Sequence, residues 1–569
     1  MINIFEYIKN LDPAKGEDDI KLLIDRYDFP NINLSTTEIK ALNFKKVNEY
    51  CVKGYFLFEN ANKEICIAIN NLGFLRGENA ELTLLKQIFL VKKTDFYNIL
   101  TRDFTSENTH NSLNLLADIN PASSAKNINY PKMVIGFFVI FFTTFIAAIN
   151  CFNLINNLLY FIQNLLKAII STRSIFAQRL PVEQHLNKIF EEDIHKDNLP
   201  IYSILIPLYK EEIKASSILL AVEKLNYPKH KLDVKLVIES DDQMTIRALA
   251  GLFIPNYVHI IKVPYSLPRT KPKALNYAMP FVVGKYLTIY DAEDEPDRDQ
   301  LLKAVQAFED LPQEYVCLQA KLNFYNAREN FLTKFFSIEY SIWFEYFLHG
   351  LSLFDLPFTL GGTSNHFKVD KLREVGLWDP YNVTEDADLG IRLYLSGYKV
   401  GMIDSITMEE APNNIKDWMG QRARWIKGFL QTIYIFMQAH KNYKQLGIIK
   451  IFTVYFFVGM STYSFFFLPW LGLLLYLDFH PVFYYLWLAN SIFSFSYMYI
   501  IAYSVTFRPN SLVRIKSISD IFILISWPLY FILHTIASYR ALWETIRSPF
   551  EWNKTPHGSS NIDDTTKEN

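Results

Sequence analysis

Hydrophobic and polar positions divide the chain into long uncharged runs and stretches of alternating character. The first long run is Met133–Leu166, 34 residues without a charge. A helical span needs about 20 residues, so this run is either one span with an interfacial piece or a tight hairpin of two. Asn150, Asn153, Asn156 and Asn157 suit a polar turn in its middle. Lys132 precedes it, and Lys167, Arg173 and Arg179 follow it. Positive residues on both flanks favour a hairpin with both ends cytoplasmic. Three later runs, Ile451–Leu477, Pro481–Phe507 and Ile521–Tyr539, are also long enough to span. Pro469 and Pro528 are expected to kink or break them. The count is five spans, or six if the first of these splits at Pro469. The basic loop Arg508–Lys516 is expected on the cytoplasmic side.

Between the runs the pattern changes to short apolar segments separated by helical spacing. Tyr202–Leu208, Val234–Ile238, His259–Val263 and Tyr286–Tyr290 read as buried strands. Glu212–Leu225, the stretch from Asp241, and Ala274–Phe281 read as helices. Strands alternating with helices predict a parallel sheet covered on both faces. Ligands in such sheets sit at the carboxyl ends of the strands. Acidic clusters lie there twice: Glu239-Ser240-Asp241-Asp242, and Asp291-Ala292-Glu293-Asp294.

Composition narrows the class. The 569 residues carry 57 Lys+Arg against 59 Asp+Glu, leaving no basic field for nucleic acid. Only 20% of residues are charged and 50% are hydrophobic; average chains carry about 25% charged residues. This points to a membrane protein and excludes disordered, collagenous and disulfide-rich secreted classes. Four cysteines without a CxxC pair suggest a reducing compartment and no zinc knuckle. The start, MINIFEYIKN, lacks the basic and apolar regions of a signal peptide. Residues 555–569 read as a disordered tail.

The second acidic cluster follows a buried strand directly. Hard oxygen ligands on such a loop suit Mg²⁺ or Mn²⁺ holding a diphosphate, although acidic loops are often only solvated. Further motifs follow in order: Lys271-Pro272-Lys273-Ala274-Leu275-Asn276, Gly361-Gly362-Thr363, Thr384-Glu385-Asp386 and Gln421-Arg422-Ala423-Arg424-Trp425. Together with Pro207-Leu208-Tyr209-Lys210-Glu211, this ordered set resembles the family 2 glycosyltransferases, in their membrane-embedded, cellulose-synthase-like branch. The resemblance covers about residues 202–430 by motif and extends more loosely to about 557.

The resemblance implies an α/β GT-A (Rossmann-like) catalytic domain, an inverting transfer, a nucleotide-sugar donor, most simply a UDP-sugar, and a divalent metal. It assigns Tyr209 and Glu211 to the base, and Asp241 and Asp242 to the nucleoside; helix N-capping is the plain alternative for that pair. Lys271 is placed near the diphosphate, with Lys273 as runner-up. Asp291 and Glu293 match the family's Asp-x-Asp with Glu in the third position, so Asp294 is an alternative second metal ligand. Asp386 matches the general base, with Glu385 as the other acid. Arg424 is assigned to the diphosphate. Gln421, Trp425, Gly361, Gly362 and Thr363 are assigned to the acceptor, with a tight turn as the plain alternative for the glycines. A competing pattern makes the Gln421–Trp425 helix a membrane-surface element, with Trp418, Met419, Trp425 and Phe429 toward lipid and Lys416, Arg422 and Lys427 toward headgroups. Phe331–Phe354 reads as an interfacial helix or a core helix.

The expected organisation is a small α/β docking or regulatory domain (1–120), a transmembrane hairpin (133–172), the GT-A domain (195–430), C-terminal transmembrane helices (447–540) and a polar tail (541–569). The first block distantly resembles the N-terminal domain of type II secretion ATPases, without the Arg-Leu-Gly signature for cyclic di-GMP. The expected function is a synthase of the bacterial inner membrane, catalytic domain in the cytoplasm. It extends a polysaccharide, with membrane lipid and export proteins as partners. Single transfer to a lipid carrier and a non-catalytic receptor are the alternatives.

Overall fold

The computed structural model describes residues 40–41, 44–59, 65–70, 88–91, 93–147, 149–177, 198–439, 446–459, 464–466, 481–506 and 518–552. Arg179, Pro469, the Arg508–Lys516 loop and the tail from residue 553 lie outside them.

Two sheets organise the described residues. The smaller holds β1 (Lys40–Ala41), β2 (Tyr55–Glu59), β3 (Ile65–Ile69) and β4 (Ile88–Leu90), in that order. The larger holds β5 (Tyr202–Leu208), β6 (Leu232–Glu239), β7 (Val258–Val263), β8 (Tyr286–Ile289), β9 (Glu295–Pro296), β10 (Tyr315–Phe324), β11 (Asn365–Lys368) and β12 (Lys399–Glu409). Its order is β7-β6-β5-β8-β11-β10-β12-β9.

The four strands read from the sequence form the parallel half. β5 pairs parallel with β6 and β8, and β6 with β7. Every residue of β6 is buried, which is why the run shows no alternation. Pro207 lies beyond Leu205, the last β5 residue paired to β8, so its missing N–H costs no bond on that side. The sheet is mixed rather than parallel throughout, which corrects the expectation. β11 runs antiparallel to both β8 and β10, and β9 antiparallel to β12. β11 follows the long helical excursion 331–353, and that return sets its opposite direction.

The excursion consists of helix Phe331–Ser341, a π-helical stretch Ile342–Leu348 and helix His349–Leu353. Phe336, Tyr340, Phe344, Phe347 and Leu351 are buried within the protein, while Phe331 and Phe354 at the ends of the segment are exposed. Gly350 meets the helix Ile149–Phe176 so closely that a Cβ would sit 2.3 Å from Ile170 O. On another side Phe335 stacks on Tyr530 at 5.1 Å between centroids.

The expected turn at Asn150–Asn157 is not there: helix Ile149–Phe176 runs through all four asparagines. Asn157 is satisfied there: Asn490 Nδ2 on helix Pro481–Thr506 donates to its carbonyl at 2.9 Å. Helix Ile518–Arg547 likewise runs through Pro528 without a break. Among the described residues one helix, Ile448–Phe466, is long and apolar enough to cross a membrane.

The N-terminal part is docked onto the back of the larger sheet. Asn48 Nδ2 donates to Val282 O at 2.6 Å, and Arg373 Nη1 donates to Asn48 Oδ1 at 3.0 Å. Asn276 is the principal brace. Its Nδ2 donates to Ser112 O at 3.1 Å and Trp378 O at 2.9 Å, and its Oδ1 accepts from Trp378 N at 3.2 Å. The asparagine of the Lys271–Asn276 motif thus joins three segments. Asn276→Ala strands these buried groups at roughly 1–3 kcal/mol each. We expect a lower thermal midpoint by circular dichroism; an unchanged midpoint contradicts the bracing role.

Candidate active site

The carboxyl ends of β5, β6 and β8 open into a cavity of about 1130 Å³. Tyr209, Glu211, Lys271, Asp291, Glu293 and Gly361 line it, as do Gly362, Thr363, Glu385, Asp386, Gln421, Arg424 and Trp425. Most residues expected from the sequence therefore meet in one place, although they span more than two hundred positions. Asp241, Asp242 and Asp294 do not line it.

Lys271 is the centre of the floor. Its ammonium bonds to Asp291 Oδ1 and donates to Gly362 O at 2.8 Å. Burial works against its charge, but Asp291 and Glu385 outweigh it and hold the amine above the ordinary lysine value. Lys273 is buried elsewhere, paired with Glu239 at 2.8 Å. The glycine loop is tied down at three further points. Gly361 N donates to Gln319 Oε1 at 2.8 Å, Asn365 Nδ2 donates to Gly361 O at 2.7 Å, and the Thr363 hydroxyl donates to Asp294. Gly362 faces the base candidate: a Cβ there would stand 3.4 Å from Asp386 Oδ2.

Asp294 turns inward. Besides Thr363 it accepts from Asp291 N at 2.7 Å, so it shapes the loop that presents Asp291. Burial, then Asp291 and Glu293, push its carboxyl well above the usual range. Glu409, from the end of β12, lines the same cavity, and burial followed by Asp294 and Glu293 raises it likewise. The sequence reading missed Glu409; its only signal was a position at a strand's carboxyl end.

This concentration of negative charge is the chemical test for a divalent cation. No three metal-ligating side chains among the described residues form a ready-made cage. Mg²⁺ needs only one or two carboxylates, the rest coming from water and phosphate. Asp291 is partly open to the cavity and Glu293 lines it, while Asp294 is turned away from it. The donor set fits a hard cation bound together with a diphosphate.

Glu385 and Asp386 open the helix Glu385–Leu395. Burial, then Asp386, pushes Glu385 up to about 8. Burial also raises Asp386, while Ala387 N, donating at 2.7 Å, Lys271 and Arg424 favour its charged form. The helix Ile415–Ala439 presses directly on this turn. Gly428 makes that approach possible, since a Cβ would fall 2.1 Å from Thr384 Oγ1. Arg424 is thereby set facing Glu385, Asp386 and Asp291. Its Nε has no partner and its guanidinium lies 5.2 Å from the Trp552 ring centroid. Trp425 stacks on Tyr340 at 6.2 Å.

The same helix corrects the membrane-surface pattern. Trp418 and Lys427 are fully buried, and Arg422 nearly so. Lys427 donates to Ser548 O at 3.1 Å and Glu551 O at 3.0 Å. Arg422 forms a two-pronged pair with Glu339 (2.7 and 2.5 Å), which also accepts from Tyr530 at 2.7 Å. Helical spacing alone could not tell a lipid-facing stripe from one enclosed by two other helices.

At the other end, Asp242 caps the helix Gln243–Ala250. It accepts from Thr245 N at 3.3 Å and Thr245 Oγ1 at 2.8 Å, and it also accepts from Lys210 N. Its plain reading holds. Asp241 is exposed and pairs with Arg269, a residue the sequence reading did not single out.

Residues 286–533 match the family described as glycosyl transferase family group 2. The probable glycosyltransferase YdaM of Bacillus subtilis (strain 168) is 29% identical over 289 residues, covering 49% of this chain and 67% of that protein. The probable glucomannan 4-beta-mannosyltransferase 15 of Arabidopsis thaliana is 25% identical over 325 residues, covering 55% of this chain and 59% of that protein. Among solved structures, the mannosyltransferase PcManGT from Pyrobaculum calidifontis, in complex with GDP-Man and Mn²⁺, aligns with a TM-score of 0.44 at 16% identity, over 68% of this chain and 95% of that one. S. aureus TarS 1-349 in complex with UDP aligns with a TM-score of 0.32 at 13% identity, over 63% and 97%. The matched stretch begins at the first residue of β8 and takes in Asp291, Asp386 and Arg424, so this part of the chain is similar to the glycosyl transferase family group 2.

Proposed function

We propose that the protein is an inverting glycosyltransferase that moves a sugar from a nucleotide-sugar donor, a UDP-sugar in the simplest reading, to a growing polysaccharide at a membrane. The observation that carries this is the single cavity joining Asp291, Asp386, Arg424 and Trp425.

The donor diphosphate lies between Lys271 and Arg424, two cations that charge-assisted hydrogen bonds suit to phosphate oxygens. Asp291 and Glu293 would hold a divalent cation, Mg²⁺ or Mn²⁺, which would supply neutralisation of charge on the departing diphosphate. The acceptor sugar rests on Trp425, whose ring offers an apolar face. Asp386 takes the proton from the acceptor hydroxyl as that oxygen bonds to the anomeric carbon. The bond from that carbon to the diphosphate oxygen breaks on the opposite side, and its electron pair leaves with the nucleoside diphosphate. Attack from the far side inverts the anomeric centre.

The cavity continues past Tyr340, Trp343 and Phe347 to Lys167, Phe457 and Phe465 on the apolar helices. Ile135, Leu158, Ile500 and Leu529 are exposed on the apolar helices Tyr130–Ala147, Ile149–Phe176, Pro481–Thr506 and Ile518–Arg547. These outward apolar side chains support a membrane location; the proposal sets the protein in the bacterial inner membrane as a multi-pass enzyme with its catalytic domain in the cytoplasm and its product passed toward export. The apolar lining at Phe457 and Phe465 also favours a second reading, one sugar added to a lipid-linked acceptor. Chain length of the product from labelled donor separates the two.

Asp386→Asn is expected to lower transfer by about two orders of magnitude or more, the scale of general-base catalysis, while donor affinity changes little. Unchanged turnover removes Asp386 from the chemistry. Asp291→Ala is expected to weaken donor binding in the presence of Mn²⁺ and to erase the gain that Mn²⁺ gives the wild type. Equal metal-dependent affinity in both proteins contradicts the assignment.

The raised Asp386 carboxyl sets a pH dependence. The base acts only when deprotonated, so kcat/KM falls as the pH drops through its value. Because burial lifts that value above the ordinary aspartate range, the acid limb lies at higher pH than an exposed carboxylate gives. A limb at the exposed-aspartate position, or no limb down to that pH, counts against Asp386 as the base.

A further inference from the structure

Helix Ile149–Phe176 presents Lys167 to the far end of the cavity, where Leu351, Phe457, Val458 and Phe465 supply apolar walls. Tyr497, on helix Pro481–Thr506, donates to the Lys167 carbonyl at 3.2 Å and so fixes this turn. Among the described residues no carboxylate pairs with the Lys167 ammonium. Glu339, which lines the same cavity, is taken by Arg422 and Tyr530.

Two further donors lie on the same side of this helix. Gln163 and Asn164 precede Lys167 by four and three residues, the spacing that stacks side chains on one helical face. Both are buried, at 2% and 7% exposure, while Leu158, Leu165 and Ile169 on the opposite face are exposed. Gln163 Nε2 and Asn164 Nδ2 have no hydrogen-bond partner. Gln163 faces helix Ile448–Phe466, where Ser464 Oγ donates to its Oε1 at 3.2 Å. The same helix brings Phe457 and Phe465 to the cavity.

An unpaired donor buried among apolar groups is costly. Here two amides and an ammonium follow one another along one buried face. What they leave open is donors. A sugar hydroxyl donates as well as accepts, so a neutral glycan meets only half of its needs here; a phosphate oxygen only accepts. Lysine serves phosphate well as a point charge. The location narrows the molecule further. In the proposed function the nucleotide lies at the Lys271 end, whereas this end is walled by phenylalanines of an apolar helix. An anion suited to it is carried on a molecule with an apolar part.

We propose that Gln163, Asn164 and Lys167 form an acceptor-side site for the phosphate of a lipid-linked substrate. Its hydrocarbon chain leaves among the apolar helices, and its glycan end reaches along Trp343 and Tyr340 toward Asp386. This inference rests on the transferase reading of the cavity and gives the lipid-linked acceptor a binding position. The phosphate held here takes no part in the bond exchange, which remains that of the acceptor hydroxyl at Asp386.

The test is microscale thermophoresis of the full-length protein in detergent with farnesyl phosphate, read against farnesol and phosphatidylglycerol, with UDP and GDP titrated in parallel in the presence of Mn²⁺. Wild type is expected to bind farnesyl phosphate at least about tenfold more tightly than farnesol, the scale of a hydrogen-bonded charge. Lys167→Met is expected to lose that preference. Gln163→Leu combined with Asn164→Leu is expected to reduce it by about threefold or more, with nucleotide affinity in both proteins within about twofold of wild type. Equal affinity of wild type for farnesyl phosphate and farnesol overturns the proposal, as does a preference that survives in Lys167→Met. Phosphatidylglycerol that displaces farnesyl phosphate at equal concentration also overturns it, because it marks a site for bilayer headgroups. If Lys167→Met loses its nucleotide as well, the double variant decides, and an unchanged preference there overturns the proposal. Nucleotide binding that persists while the farnesyl phosphate preference fails leaves the donor reading intact. A wild-type protein that binds neither UDP nor GDP overturns the transferase reading, and the acceptor role of this site with it.

Discussion

One ion pair sets the form of the cavity floor: the Lys271 ammonium between Asp291 and the Gly362 carbonyl. It joins the start of a helix, the end of β8 and the glycine loop, three segments that no strand pairing brings together at that point. Burial, together with the nearby carboxylates of Asp291 and Glu293, raises the proton affinity of Asp294 and Glu409. Without a buried cation among them the loop after β8 would carry uncompensated charge in a low dielectric. Lys271 offsets part of that charge, and in the proposed function a divalent cation would offset more of it.

Around this floor the protein places the reacting groups by close backbone approach. Gly428 brings the helix of Arg424 and Trp425 against the turn of Glu385 and Asp386. Gly350 brings the excursion after β10 against the apolar helix that contains Ile170. The first contact assembles the cavity and the second ties it to the helices proposed to lie in the bilayer. Arg422 and Glu339, with Tyr530, lock the same helices together from the inside. Burying a charged pair is costly unless further hydrogen bonds support it, and here the Tyr530 hydroxyl gives Glu339 one such bond.

Much of the parallel half of the sheet was legible in the sequence, because buried parallel strands are short unbroken apolar runs with turn chemistry at both ends. The residues around the cavity were legible as an ordered set: Tyr209, Lys271, Asp291, Gly362, Asp386, Arg424 and Trp425 all line it. The antiparallel β11 was not, because its direction depends on a long-range return that local pattern does not encode. Asp242 and Asp294 carry the right chemistry but spend it on the backbone, as a cap and a loop brace. Arg269 and Glu409 were invisible because their importance comes from what faces them across the fold. The stripe of Trp418, Arg422 and Lys427 misled for the converse reason: an amphipathic helix enclosed by protein has the same period as one lying on lipid.

The central claim is that carboxylates and cations distant in sequence converge to hold a nucleoside diphosphate beside a base. The most direct measurement is an experimental structure of the full chain with UDP or GDP and Mn²⁺. The account predicts density for the diphosphate between Lys271 and Arg424, with the metal against Asp291 and the open side facing Asp386. A nucleotide bound elsewhere, or a diphosphate out of reach of Asp291, would contradict it.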